Sequence, residues 1–138
     1  MNTDNILAVR TAKTIYRQGG HAVKVFNADY SKADILNEAL NHARMEETGL
    51  NIPRITEVGT IDGKWAIYLE FIEGKTLSRL MDENPAKEEE YLELFIDLQI
   101  RTHTQKAPLL NKLRDKMKRK INEADLDHIT KYELQMRL

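Results

Sequence analysis

Short runs of alternating hydrophobic and polar residues fill the first half of the chain, a pattern typical of β-strands. The runs are rich in β-branched and aromatic residues and end at turn-forming residues. They predict five strands, over residues 6–9, 14–17, 22–26, 55–61 and 65–71. Gly19-Gly20 separates the second strand from the third, and Asp62-Gly63 separates the fourth from the fifth. Both dipeptides favour tight hairpins, so we expect antiparallel neighbours.

One helical segment, residues 31–48, interrupts the strands. Ser31 and Asp34 form a variant capping box at its start, and Gly49 is placed to end it. Apolar residues recur in it at the spacing of one helical face: Leu36, Ala39, Leu40 and Ala43. We expect this stripe to pack against the sheet.

After Gly74 the pattern becomes helical. A short helix is predicted around residues 77–81. Asn84-Pro85 then signals a new helix, with Asn as the cap and Pro at the first helical position. The apolar residues that predict three further helices are Tyr91, Leu94, Phe95 and Leu98, then Leu110, Leu113, Met117 and Ile121, then Ile129, Tyr132 and Met136.

The order of these elements predicts an α+β fold. We expect a five-stranded antiparallel sheet with one packed helix, followed by α-helices. The predicted domains are residues 1–75, which hold the sheet, and residues 76–138, which form a helical extension.

Composition narrows the functional classes. The 138 residues are 41% hydrophobic and 31% charged, which is enough to bury a core and argues against disorder. The net charge of -1 lacks the basic excess of non-specific nucleic-acid binders. The absence of cysteine excludes disulfides and thiolate metal sites. No signal peptide or long apolar run is present, so we expect a cytoplasmic chain with no membrane partner.

Two segments have unbalanced charge. Residues 106–120 hold seven Lys or Arg and one acid, Asp115, while residues 82–97 hold seven acids and one lysine. The basic segment could be a nucleic-acid or membrane patch, but aromatic residues do not interleave it. A solvated helix face is the interpretation we favour, and nucleic-acid binding stays open only as an alternative. Acids in the first turns of a helix favour its dipole.

Lys24 and Glu38 are the first candidates for chemistry. Lys24 lies in an apolar strand, where burying a charge is costly without a partner. Glu38 follows on the helix and could orient the ammonium toward a phosphate. An edge lysine and a solvated glutamate are the simpler alternative, and Glu46 and Glu47 compete as partners.

Five segments, taken in order, carry a resemblance. They are the hairpin 10–16, the strand Ala22-Val23-Lys24, the helix pair Glu38-Ala39, the Pro-containing run 52–55, and the run 69–74 that leads to Gly74. Together they resemble the N-terminal lobe of the aminoglycoside phosphotransferase and choline kinase family, distant relatives of protein kinases. The similarity runs in register through nearly the whole chain.

The resemblance implies the site. Lys24 would contact the α- and β-phosphates of ATP and Glu38 would hold it. Ala22 would pack on the adenine ring. The run 69–74 would be the hinge, the segment that bonds adenine, here through the backbones of Glu70 and Ile72. The candidate nucleotide-binding residues are thus Lys24, Glu38, Ala22, Glu70, Phe71, Ile72, and, in the loop over the phosphates, Thr11 and Thr14. ATP with Mg²⁺ would be the cofactor of the complete enzyme, and a small hydroxyl-bearing molecule its substrate.

Two departures from the family limit that expectation. The loop 10–14 contains no glycine, which would let backbone approach phosphate closely. The family's His-Gly-Asp catalytic loop is also absent, because none of the four histidines precedes Gly-Asp. We therefore expect this chain alone to be inactive, as a fragment, a truncated product or half of a split kinase. The alternative is a catalytically inactive kinase-like fragment that acts as a protein-interaction module. In either case the helices would begin an incomplete second lobe, expose an apolar face and favour self-association.

Overall fold

A single open β-sheet organises the first part of the chain. The computed structural model describes residues 5–138, and within them the sheet has five strands in the order β1-β2-β3-β5-β4, with antiparallel neighbours throughout. The strands are β1 (Ile6–Val9), β2 (Lys13–Gln18), β3 (His21–Phe26), β4 (Ile55–Ile61) and β5 (Lys64–Glu70). This arrangement confirms the predicted α+β fold and its five-stranded antiparallel sheet.

Both predicted hairpin turns are present. Gly19 has a φ of 58° between β2 and β3. Between β4 and β5, Asp62 and Gly63 have φ values of 49° and 76°. Two consecutive positive φ values define a type I′ turn, whose twist matches that of the flanking strands.

The sheet has two apolar faces. Residues directly opposite each other on antiparallel strands point to the same side, and side chains alternate along each strand. On one face Phe26 and Ile67 pack against Ile35 of the following helix, and all three are buried. Val23 and Ala66 anchor a separate cluster on the other face. Burying a large apolar side chain stabilises the fold by about 1.5–3 kcal/mol.

Helix α1 (Lys32–Glu46) covers the first face. Its capping is confirmed, because the Ser31 hydroxyl accepts the backbone N–H of Asp34 at 3.1 Å. Gly49 lies just beyond the end with a φ of 79°. The predicted apolar stripe is wrong except at Ala39, because Leu36 and Leu40 are 43% and 48% exposed.

The buried residues of α1 are Ile35, which the predicted stripe left out, and Ala39, which it included. Ala43, the last member of the predicted stripe, is also exposed. Consecutive helical residues are rotated by about 100°, so a stripe placed one residue off turns away from the sheet. The true face was hidden because Leu36 and Leu40 directly follow Ile35 and Ala39 and mark an overlapping apolar face.

Helices follow the sheet as predicted. They begin with α2 (Leu77–Glu83), capped by Thr76, and continue with a 3-10 turn at Pro85–Lys87 and α3 (Glu88–His103). Asn84 and Pro85 occupy the cap and the first position of the 3-10 turn, as predicted, but the Asn84 side chain makes no capping hydrogen bond. Its backbone N–H instead ends α2 by bonding the Leu80 carbonyl.

Helix α3 has an exposed apolar surface, as expected. None of its residues is buried. Six large apolar residues on it are each 45–55% exposed: Leu92, Leu94, Phe95, Ile96, Leu98 and Ile100. Within the described residues, no helix has the length and apolar character needed to cross a bilayer.

The chain divides into two compact units, one ending at Ala107 and the other spanning Pro108–Leu138. The second unit holds α4 (Leu113–Glu123) and α5 (His128–Met136). Leu110 lies before α4, outside the helix in which we placed it. Asp127 caps α5 by accepting the backbone N–H groups of Ile129 and Thr130. The division at residue 75, between a kinase-like lobe and a helical extension, stays a prediction.

The two edge strands share an irregularity. The pairing of β1 with β2 shifts register between Ile6 and Ala8. The pairing of β4 with β5 shifts between Ile55 and Glu57. An extra residue in one strand bends it and increases its twist. Both open sides of the sheet are therefore distorted.

Candidate functional site

Two lysines and one glutamate meet on the α1 face of the sheet. The Lys13 Nζ donates to both carboxylate oxygens of Glu38, at 2.7 and 2.9 Å. The Lys24 Nζ donates to Oε1 of the same carboxylate at 3.3 Å. We call these three residues the lysine cluster. The expected Lys24–Glu38 pair is present, and a second lysine shares its carboxylate.

Strand register brings the lysines together. Lys13 lies opposite Phe26, and Ile15 lies opposite Lys24. Lys13, Phe26 and Lys24 therefore point to the same face. The Lys13 ammonium lies 4.9 Å from the centroid of the Phe26 ring, a cation–π distance that helps to orient it. Glu38 reaches both lysines from α1.

The cluster is partly shielded from solvent. The side chains of Lys13, Lys24 and Glu38 are 23%, 21% and 31% exposed. Burial acts to raise the pKa of Glu38, but the hydrogen bond and charge of Lys13, with those of Lys24, outweigh it and lower the pKa below its ordinary value of 4.5. Glu38 is thus ionised near neutral pH and balances only one of the two ammonium charges.

Two more polar residues on the same flank of α1 hold the chain that leads into β4. The His42 Nε2 is 2.7 Å from the Pro53 carbonyl oxygen. Glu46 accepts the backbone N–H of Ile55 at 2.7 Å. Glu46 is therefore committed to the backbone, which leaves Glu38 as the partner of Lys24.

The loop between β1 and β2 is a closed turn. The Arg10 N–H donates to the Lys13 carbonyl at 2.9 Å. Asn27, just after β3, donates its backbone N–H to the Ala12 carbonyl and its side-chain amide to the Thr11 carbonyl. The Arg10 bond closes the loop on itself, and the two bonds from Asn27 tie the loop to the end of β3.

The two threonines predicted over the phosphates lie apart from the lysine cluster. Thr11 is exposed in the loop. Thr14 lies opposite Val25, so it points to the face of the sheet away from Lys24. The side chain of Thr14 therefore does not join the cluster. Lys13, one residue earlier, points instead to the face that carries Lys24.

The predicted hinge follows β5. The backbone N–H of Glu70 donates to the Arg54 carbonyl, and that of Phe71 donates to the Gly20 carbonyl, both at 2.9 Å. These donors are committed within the chain, so of the Glu70 backbone only the carbonyl could bond adenine. Ile72 is 55% exposed.

Arg17 fastens the hinge to β2. Its guanidinium lies 4.2 Å from the Phe71 ring centroid and bonds Glu73 at 2.7 Å. Both contacts join β2 to the segment after β5. Ala22, predicted beneath adenine, lies opposite Arg17 and packs partly buried against the core on the α1 face.

A cavity of about 420 Å³ lies away from these lysines. Its lining residues are Glu46, Gly49, Leu50, Asn51, Ile52, Arg54 and Glu70. The carboxylates of Glu46 and Glu70 both accept backbone N–H groups, from Ile55 and Arg54. Both acids of the cavity thus hold the chain that leads into β4, and the lysine cluster, with its uncompensated charge, is the candidate site.

No protein-family model matches the chain, and a search of curated proteins found no match.

The cluster suits an anion better than a metal ion. Its uncompensated charge is positive, and lysine ammonium groups donate hydrogen bonds but accept none. Across residues 5–138, no group of three or more His, Asp or Glu is placed to hold a metal ion. The cluster therefore has the charge and the donors to bind an anion, and the described residues provide no carboxylate set for Mg²⁺.

Lys13 is the site residue that sequence reasoning missed. It lies in the hairpin that carried part of the resemblance, but it was not singled out. Its face depends on the β2–β3 register, which the two-residue turn at Gly19-Gly20 sets. Counting back from that turn pairs Lys13 with Phe26. The sequence therefore contained enough information to place Lys13 on the same face as Lys24.

Proposed function

We propose that this chain is the nucleotide-binding portion of an ATP-dependent small-molecule phosphotransferase, similar to the aminoglycoside phosphotransferase group. The observation that carries the proposal is the contact of 3.3 Å between Lys24 on β3 and Glu38 on α1. A lysine on the third strand paired with a glutamate on the next helix is the arrangement that positions ATP phosphates in protein kinases.

The surrounding sheet supports the same proposal. Ala22 lies two residues before Lys24 on the same face, and the segment after β5 leaves the sheet close to the β2–β3 turn, where Phe71 bonds Gly20. An adenine ring bound near Ala22 would place its phosphates toward Lys24. Ile72, exposed after β5, would supply backbone groups for the purine edge.

The chain's own residues would bind and orient the nucleotide. Lys24 would neutralise phosphate charge, and Glu38 would restrict where its ammonium can lie. ATP, when bound, would supply the transferable phosphoryl group. Transfer also needs a residue that positions the acceptor hydroxyl and carboxylates that hold Mg²⁺. The described residues present no such set, so we expect binding without turnover from this chain.

A calorimetric titration of ATP with Mg²⁺ tests the proposal. We expect the wild-type chain to bind, and Lys24→Ala to weaken binding about tenfold or more, because one charge-assisted hydrogen bond is lost. Lys64→Ala, an exposed lysine at the β4–β5 turn, is the matched control and should bind as the wild type does. Absence of binding, or equal binding by Lys24→Ala, would contradict the proposal.

A second candidate function is a kinase-like interaction module without nucleotide. The closed, glycine-free loop between β1 and β2 favours it, because Asn27 holds that loop against β3. The exposed apolar surface of α3 favours it as well. A chain that fails to bind ATP but associates through α3 would support this candidate.

A further inference from the structure

We propose that Lys13 is a second phosphate-binding residue, and that Lys13 and Lys24 together form a two-ammonium site for the polyphosphate of a nucleotide. The inference deepens the proposed function and rests on it. In this chain Lys13 would make the phosphate contacts that a glycine-rich loop makes elsewhere.

Geometry is the first support. The Lys13 and Lys24 nitrogens contact the same Glu38 oxygen, Oε1, at 2.7 and 3.3 Å. They therefore lie no more than the sum of these distances, about 6 Å, apart, within reach of the oxygens of one polyphosphate. Both side chains point to the α1 face, so one anion can meet both.

Charge is the second support. Two ammonium groups share one carboxylate, so an anion that enters the cluster would balance the remaining positive charge. The lysines are only 23% and 21% exposed. Partial burial strengthens electrostatic attraction relative to open water. Confinement by Phe26 and Glu38 also reduces the entropy that the Lys13 side chain would lose on binding.

The composition and hydrogen bonding of the β1–β2 loop are the third support. Backbone N–H groups of a glycine-rich loop normally approach the phosphates. Here the loop has no glycine, and the Arg10 N–H is bonded to the Lys13 carbonyl. The loop is thus poorly suited to cradle phosphate with its backbone. Lys13, at the end of this loop, places a positive charge on the Lys24 face instead.

A bound polyphosphate would redistribute the contacts of Glu38. In the structure Lys13 bonds both of its carboxylate oxygens, while Lys24 bonds one. A phosphate that draws Lys13 away would leave Glu38 free to tighten on Lys24. Lys13 would then serve both as the holder of Glu38 before binding and as a phosphate ligand afterwards.

Calorimetric titration of inorganic tripolyphosphate tests this inference, because that probe contains no adenine. We expect wild-type chain to bind it and Lys13→Ala to bind about tenfold more weakly. Lys13→Arg, which retains the charge, should keep most of the affinity, and the Lys64→Ala control should match wild type. If Lys13→Ala does not fold by circular dichroism, Lys13→Gln provides the same test with a side chain of closer length.

The outcomes separate this inference from the proposed function. Tripolyphosphate binding that fails in wild type, or that is unchanged in the neutral Lys13 variants, overturns the role of Lys13 even if ATP binds. Binding that requires Lys13 supports the inference. If ATP then binds no more tightly than tripolyphosphate, the site recognises phosphate alone, so the nucleotide-binding proposal fails while the phosphate-binding role of Lys13 stands.

Discussion

Glu38 connects the chemistry of the site to the stability of the fold. Its carboxylate joins β2, β3 and α1 through Lys13 and Lys24. Partly exposed ion pairs each contribute about 0.2–1 kcal/mol. Two such pairs on one carboxylate give Glu38 an effect that can be measured in the free energy of unfolding.

The first prediction concerns acid sensitivity. Because the pKa of Glu38 is lowered in the folded chain, its stabilising contribution is present above the unfolded-state value and lost as pH falls through the folded-state value. We expect Glu38→Gln to reduce the free energy of unfolding by about 0.5–2 kcal/mol at pH 7. The difference from wild type should shrink below about pH 4.5.

Urea denaturation at pH 7 and at acid pH measures this difference. Glu57→Gln, which changes an exposed glutamate of β4, is the control and should differ little from wild type at either pH. A difference for Glu38→Gln that grew on acidification would contradict the assigned ion pairs.

At the scale of single residues, the sequence predicted Lys24 and Glu38 but not Lys13. Lys24 is conspicuous because it interrupts an apolar strand. Lys13 adjoins a polar loop, where a lysine is ordinary, and only the strand register reveals that it faces Glu38. Thr14 illustrates the same limit, since a position one residue away points to the opposite face of the sheet.

Among the elements, α1 best separates what periodicity can predict from what it cannot. The helix itself, its Ser31 cap and the Gly49 end were read from local chemistry. The buried face was not, because two overlapping faces of the helix carry apolar residues. Contact with the sheet selects the face of Ile35, which packs against Phe26 and Ile67.

The second prediction tests that face. Ile35 is fully buried, whereas Leu36 is 43% exposed. We expect Ile35→Ala to lower the free energy of unfolding by about 2–5 kcal/mol, through lost burial and a cavity. Leu36→Ala should cost no more than about 0.5–1 kcal/mol, since most surface substitutions have small effects.

Urea denaturation followed by circular dichroism compares the two variants. They change adjacent residues of one helix, so helix propensity affects both similarly. Equal losses of stability would show that the helix packs through a different face.

At the scale of the whole molecule, α3 exposes more large apolar residues than any other described element. Six of them are each about half exposed. Exposed apolar patches of this kind often mark interaction surfaces. Their exposure was expected from the resemblance, in which these helices would begin an incomplete second lobe.

The third prediction is that the chain self-associates through α3. Sedimentation velocity should give an average mass that rises with concentration. Phe95→Glu places a charge in the apolar surface and should return the chain toward monomer. Asp97→Asn changes the charge by the same amount at an exposed position about 160° around the helix from Phe95 and should leave association intact. A strictly monomeric wild-type chain would contradict this prediction.

The bulged edge strands determine how such association can occur. A straight, open strand is a template on which copies of a chain can extend one sheet into fibrils. In β1 and β4 the register shifts near Ile6 and Ile55 interrupt the row of backbone donors and acceptors that a neighbouring copy would need. We therefore expect assemblies of this chain to grow by helix packing to a finite size and to remain reversible on dilution, rather than to polymerise into cross-β aggregates.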